Sequence, residues 1–352
     1  MKIHSLAKQG LLVYHRLTYR RRLMLNATSL ILLPLFLLDI SVGPSPIGLG
    51  DVLSVLLGCS STDGTLHIVV WSIRLPVALA AIVTGASLGL AGLLMQTILD
   101  NPLASPYTLG VSSAAAFGAA LFYVFAVKTL PVAGHYAATL NAFAFAALAC
   151  WLVYCISKLK GFTPETLVLA GIAIGSLFHA LLAFVEYLAS EETLQAIVFW
   201  MFGSLYKATW SKLAISIATL LAVALITIYT AWRLEALRLG DDVAQSLGVD
   251  VKRVRALAFA SSALLAAVSV SFYGIIGFVG LVAPHMARIL VGEDHRFLIP
   301  QSMLMGAALL LAASTACKTL SPGAVIPIGI VTSFIGVPFF LALVITKRRR
   351  YW

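Results

Sequence analysis

Ten apolar runs, each close to the length a helix needs to cross a bilayer, follow one another at 23–41, 75–98, 107–127, 136–156, 167–188, 211–232, 254–273, 275–292, 297–317 and 326–345. A hydrocarbon core about 30 Å thick takes roughly 20 helical residues, and a helix satisfies its own backbone inside it. These runs predict an all-α, polytopic membrane protein of about ten transmembrane helices. Composition leaves no room for a soluble alternative: of 352 residues, 61% are hydrophobic and 11% charged, where a soluble domain is roughly half apolar and a quarter charged. The seventh and eighth runs are nearly continuous and hard to divide. The first 22 residues are polar and basic and enter the first run without an obvious cleavage site, which favours a retained helix over a removed signal.

An even number of spans puts both termini on one side, and the basic residues say which. Nineteen of the 24 lysines and arginines fall at alternate ends of the runs; only Arg74, Lys128, Lys207, Lys212 and Lys318 fall at the others. By the positive-inside rule the richer side is cytoplasmic. Residues 1–22 are then a cytoplasmic N-terminal segment, 23–346 a single transmembrane domain, and 347–352 a basic cytoplasmic tail. The net charge of +10 reads as orientation, and no segment is long enough for the soluble basic face that nucleic acid requires. No phosphate-binding loop of the G-x-x-x-x-G-K-[ST] type occurs. Cys59, Cys150, Cys155 and Cys317 lack metal-ligand spacing and read as small packing residues.

The connections differ in character. Residues 42–70, rich in glycine and proline, predict a turn-rich external connection. Within the inside segment 233–253, Gly240 and Asp241 can break and cap, Val243, Ala244 and Leu247 recur at helical spacing, and Gly248 can close the turn. That predicts a short amphipathic cytosolic helix, either a solvated connector or a docking element. Asp100 to Pro106 holds two prolines in five residues and suits either a gate or a tight turn. Small residues such as Gly85, Gly89, Gly92, Gly110 and Gly118 let helices approach closely. A gradient-coupled carrier usually keeps charge near the bilayer middle, and here Asp39, Glu186 and Lys318 lie near helix ends. His179 is the clearest mid-span titratable group, followed by His285 and Arg288. His179 either faces a pathway or bonds a neighbouring helix. No paired carboxylates, metal-spaced histidines or activated nucleophile appear, which argues against an enzyme.

An ordered set of short motifs carries a resemblance. Ile73-Arg74-Leu75-Pro76, Gly92 to Gln96, Asn101-Pro102-Leu103-Ala104-Ser105-Pro106, Leu169 to Ile172, Trp200-Met201-Phe202-Gly203-Ser204, Leu239-Gly240 through Leu247-Gly248, Gly277 to His285 and Pro327 to Thr332 together resemble the permease subunits of the FecCD family of ATP-binding-cassette importers. The match covers roughly residues 70–345. The resemblance implies a permease in the bacterial inner membrane, pairing with a second copy as a homodimer, with two cytosolic ATPase subunits and an external binding protein. It implies cargo such as ferric siderophore, haem or cobalamin. The chain itself is expected to bind no cofactor or metal, ATP and Mg being used by the ATPase. The segment at about 238–250, with Gly240, Asp241, Ala244, Leu247 and Gly248, is similar to the family's coupling element. Asn101 and Leu103 match its inner-gate loop, and Thr163, Pro164 and Glu165 a second gate loop. Arg74 corresponds to an external arginine that pairs with the binding protein. Lys318 stands where relatives carry an arginine, keeping the charge without the bidentate fork, and a second external arginine of some relatives would fall at Val77. The competing reading of another class is a gradient-driven secondary carrier.

Overall fold

The computed structural model describes residues 2–43, 47–58, 64–126, 134–320 and 326–346. Cys59, Lys128 and the basic tail 347–352 lie outside the described residues. In chain order the helices are α1 (Lys2–Ser41), α2 (Leu49–Leu56), α3 (Gly64–Ile68), α4 (Leu75–Ile98), α5 (Val111–Phe125), α6 (Gly134–Leu159), α7 (Pro164–Leu188), α8 (Glu191–Met201), α9 (Trp210–Tyr229), α10 (Ala231–Leu237), α11 (Asp241–Ser246), α12 (Val251–Tyr273), α13 (Val279–Val291), α14 (His295–Leu320) and α15 (Ile328–Thr346). A π-helical turn, Val69–Arg74, joins α3 to α4, and a 3₁₀ turn, Pro106–Leu109, leads into α5. No strand occurs among the described residues.

Most of each apolar run falls on one helix, though the run 211–232 passes from α9 into α10 and the run 107–127 begins in the 3₁₀ turn. Seven described helices are long and apolar enough to span a membrane, and three shorter apolar helices, Val111–Phe125, Val279–Val291 and Ile328–Ala342, coincide with the remaining runs. The seventh and eighth runs separate at Gly274, whose φ of +80° ends α12, and at Phe278, whose φ of +64° opens α13. Helix α1 runs unbroken for 40 residues, through the basic N-terminal segment and into the first span. The connection at 42–70 is more ordered than its glycines suggest: α2, α3 and the π-helical turn occupy much of it, with Val52 and Val55 buried against Ile40 and Val70.

Helix α4 is the axis of the bundle, buried at every residue except Leu79 and Ile82. Its small residues allow backbone to meet backbone. A Cβ added at Gly85 would strike the Gly306 carbonyl on α14, one at Gly89 the Ser302 carbonyl, and one at Gly92 the Gly280 carbonyl on α13. Without a hydrophobic force between helices in lipid, such close approach supplies the packing that holds them together. Around this axis α12 crosses α4, α5 packs on α6 and α7, and α1 lies on α14. The lids of several helices follow ordinary capping chemistry: Thr163, Ser190, Thr209 and Asp250 each accept a backbone N–H from the first turn that they open, satisfying a donor that the helix itself cannot.

Candidate functional site

The segment expected to couple, 238–250, holds a short helix at one end of the bundle. Gly240, at φ +97°, and Gly248, at φ +80°, bracket the six-residue helix α11; both conformations are ones that side chains with a Cβ rarely adopt. Ala244 is fully buried, and Leu239, Val243 and Leu247 stand outward at 61%, 44% and 57% exposure. The element therefore grips the bundle by Ala244 and presents an apolar edge away from it. Asp241 does not cap α11; its carboxylate takes a bidentate bond from Arg255 on α12, at 2.8 and 3.1 Å.

Both expected gate loops come to the same end. The first leaves α4 through Asp100, at φ +45°; the Asn101 side chain accepts the Leu103 N–H at 2.9 Å, an Asx turn that fixes Pro102 and Leu103 half-buried. The second turns through Gly161 at φ +83° and Phe162 at φ +61°. Thr163 then caps α7 by accepting the Thr166 N–H, Pro164 takes the first helical position, and Glu165 is exposed beside it. The segment 240–248 and the two loops are thus joined through one buried arginine: Arg255 donates from Nε to the Ile98 carbonyl and from a terminal nitrogen to the Phe162 carbonyl, both at 3.1 Å.

The last turn of α4 is tied down residue by residue. Gln96 accepts from Arg288 of α13 at 3.1 Å and donates to the Leu281 carbonyl. The Thr97 hydroxyl meets His295 Nε2 at 3.1 Å, and the other ring nitrogen of His295 lies 2.7 Å from Glu235 of α10. Arg238 bridges Glu235 and Glu293, and Arg288 also pairs with Glu293 at 2.9 Å. Burial pushes the Glu235 carboxyl up, but the bonds from His295 and the nearby Arg238 outweigh it and hold the group below the usual carboxylate range. Asp294 is held low chiefly by the bond from Arg296, helped by Arg21. Sequence reading counted Arg238, Arg255, Arg288 and Arg296 as charges of one side; their partners, 2 to 192 residues away in sequence, leave no periodic signature.

At the opposite end Arg74 and Lys318 are both bonded within the chain. Neither presents its charge outward. Lys318 Nζ lies 2.6 Å from the Asp39 carboxylate and 2.8 Å from its main-chain carbonyl, with side chains 3% and 0% exposed, and Thr315 donates to the same carboxylate. Arg74, 5% exposed, donates to the Ile40 and Ser41 carbonyls at 2.8 and 2.7 Å. The two cations satisfy carbonyls that the end of α1 leaves without helical partners, tying α1 to α4 and α14. Val77 is buried in the same cluster. Lys207 is also at this end, its ammonium over the Trp200 ring, where desolvation and then Lys212 bring its pKa down to about 8.

His179 is exposed in the middle of α7, on a face that also shows Ile172, Phe184 and Tyr187. His285, by contrast, is buried on α13 with its ring against Phe339. A cavity of about 580 Å³ opens between Met201, Phe202, Ile275, Gly277 and α15 residues Ser333 and Phe334, and its lining is mostly apolar. Among the described residues no group of three His, Cys, Asp or Glu is arranged to hold a metal.

Comparison with known proteins adds three findings. The family model of the FecCD transport family matches residues 30–346. The chain is 36% identical to the hemin transport system permease protein HmuU of Yersinia pestis (94% of this chain, 97% of the relative), and 35% identical both to the molybdate import system permease protein MolB of Haemophilus influenzae (96% and 97%) and to the vitamin B12 import system permease protein BtuC of Vibrio cholerae (94% and 98%). A solved structure described as an inward-facing conformation of a metal-chelate type ABC transporter superposes with a TM-score of 0.81 at 33% identity, over 92% of this chain and 99% of that one.

Proposed function

The chain belongs to the FecCD transport family, and on that premise we propose that it is the permease of an ATP-driven importer carrying an iron chelate, a ferric siderophore, across the inner membrane from an external binding protein. It is a multi-pass membrane protein and an importer permease of the FecCD type. The reading goes further: ten spans, both termini in the cytoplasm, a homodimer with the pathway between the copies, and two ATPase subunits seated on the 238–250 segment. One observation carries it. The glycine-bounded element 240–248 offers exposed apolar side chains outward while Asp241 is tied, through Arg255, to both loops that would close the path.

Haem or cobalamin is the alternative cargo, supported by relatives named for hemin and vitamin B12. His179 supports a metal chelate: an imidazole exposed at mid-span is costly against lipid, and a second copy or a water-filled path on that face removes the cost. ATP and Mg act in the ATPase subunits. Arg74 and Lys318, used inside the chain, would take part in docking the binding protein only by shaping the outer end of α1.

The seating of the ATPase is tested at Gly248. A Cβ there meets no atom within 4 Å, yet φ is +80°, so Gly248→Leu strains the turn and obstructs its outer face without disturbing the core. Expected: normal membrane insertion, loss of ATPase co-purification and loss of uptake. Unaltered uptake would remove the coupling role from this element.

A further inference from the structure

We propose that Arg255 is the positioning residue that transmits movement of the coupling element to both gate loops at once. The inference rests on the importer reading above.

Four bonds leave one guanidinium: Nε to the Ile98 carbonyl, one terminal nitrogen to the Phe162 carbonyl and to Asp241, and the other terminal nitrogen to Asp241. A guanidinium carries five N–H donors in a rigid plane. Asp241 therefore cannot shift without turning or sliding that plane, and the two carbonyls must follow or lose their donors. The carbonyls stand at decisive places. Ile98 is the last residue of α4, immediately before the loop with Asn101 and Leu103, and its carbonyl lacks a helical partner. Phe162 is held at φ +61° directly before the Thr163 cap of α7.

Burial makes the relay stiff. Arg255 is 5% exposed, so breaking a bond leaves a buried charge under-satisfied, and the plane moves as a unit. Phe162 is gripped a second time by its side chain, edge-on to Phe259, one turn beyond Arg255 on α12. Asp241, by contrast, is 44% exposed, free to be pulled from outside. The other arginines of this end do not share the arrangement: Arg288 reaches Gln96 and Glu293, and Arg238 reaches Glu235 and Glu293. Lysine in place of Arg255 keeps the charge but offers a single point of attachment, which cannot hold an acid and two carbonyls in one plane.

The experiment uses the assembled importer, permease with its ATPase subunits, in lipid vesicles. A nitroxide on exposed Lys160, beside the second gate loop, reports the distance between the two copies by pulsed electron resonance, with and without vanadate-trapped nucleotide. In the wild type the distance shifts on trapping. With Arg255→Lys the shift is expected to be lost while the complex still assembles and hydrolyses ATP. Asp241→Asn, which removes the charge and keeps one oxygen to accept from Arg255, is expected to reduce the shift in the same way. A merely structural role for Arg255 would lower assembly and hydrolysis together and leave the Asp241→Asn shift intact, and that result overturns the relay. An undiminished shift in both variants overturns it as well. Absence of any shift or hydrolysis in the wild type fails the importer reading itself, and the relay with it.

Discussion

Replacing Gly92 with alanine is expected to prevent the bundle from folding. The added Cβ would occupy the Gly280 carbonyl oxygen, with the Gly280 Cα 2.9 Å away, and both elements are buried backbone that no rotamer change can move. Ordinary overpacking costs about 1–3 kcal/mol because side chains yield; here the obstacle is a main-chain oxygen, and the cost exceeds that range. Gly85→Ala and Gly306→Ala meet the same obstacle from the two sides of the α4–α14 contact. The control is Gly50→Ala on α2, where nothing lies within 4 Å and the helix gains about 1 kcal/mol of propensity. Thermal unfolding of detergent-solubilised protein, followed by size-exclusion, distinguishes them: no monodisperse Gly92→Ala, and a Gly50→Ala midpoint at or above the wild type. A well-folded Gly92→Ala would show that α4 and α13 do not meet backbone to backbone.

The second large effect concerns the ion pair at the other end. Asp39 is fully buried and Lys318 nearly so. Removing one partner of such a pair typically costs about 3–5 kcal/mol because the survivor keeps its charge without compensation, whereas replacing both with apolar groups is often neutral. Asp39→Leu alone is therefore expected to lower the thermal midpoint strongly. Asp39→Leu with Lys318→Met is expected to recover most of the loss, with the remainder traceable to the Thr315 bond and to the Asp39 carbonyl that Lys318 also holds. A double variant no better than the single would mean that the two groups are not coupled. If instead Lys318 served chiefly to meet a partner outside, its replacement would leave stability unchanged.

These two ends show what a sequence reveals and what it conceals. The apolar runs were legible because the bilayer imposes a length, and the break between the seventh and eighth was not, since Gly274 and Phe278 interrupt the helix by dihedral angle within an apolar stretch. Helix α1 continues through its basic segment, a region that hydropathy alone separates from the span. The turns around α11 were readable from Gly240 and Gly248, two glycines that the structure holds at positive φ. The two loops at 101–106 and 163–166 were readable from Asn101, Pro102 and Pro164, residues with strong local preferences. Arg255 was not: in sequence it is one of five basic residues between two spans, and its meaning lies in the Ile98 and Phe162 carbonyls, 157 and 93 positions away. The same blindness made Arg74 and Lys318 look like outward charges, because a count of charges by side carries no information about Asp39 or the end of α1.

ATP hydrolysed in a partner subunit is the proposed drive of this permease. The direct measurement is uptake into vesicles holding the permease with its ATPase subunits and supplied with the external binding protein, using ferric siderophore, haemin and cobalamin as probes. Expected is accumulation of one of these that stops when ATP hydrolysis is blocked and persists when ionophores collapse every ion gradient. Accumulation that continues without hydrolysis and ends with the gradient would contradict it.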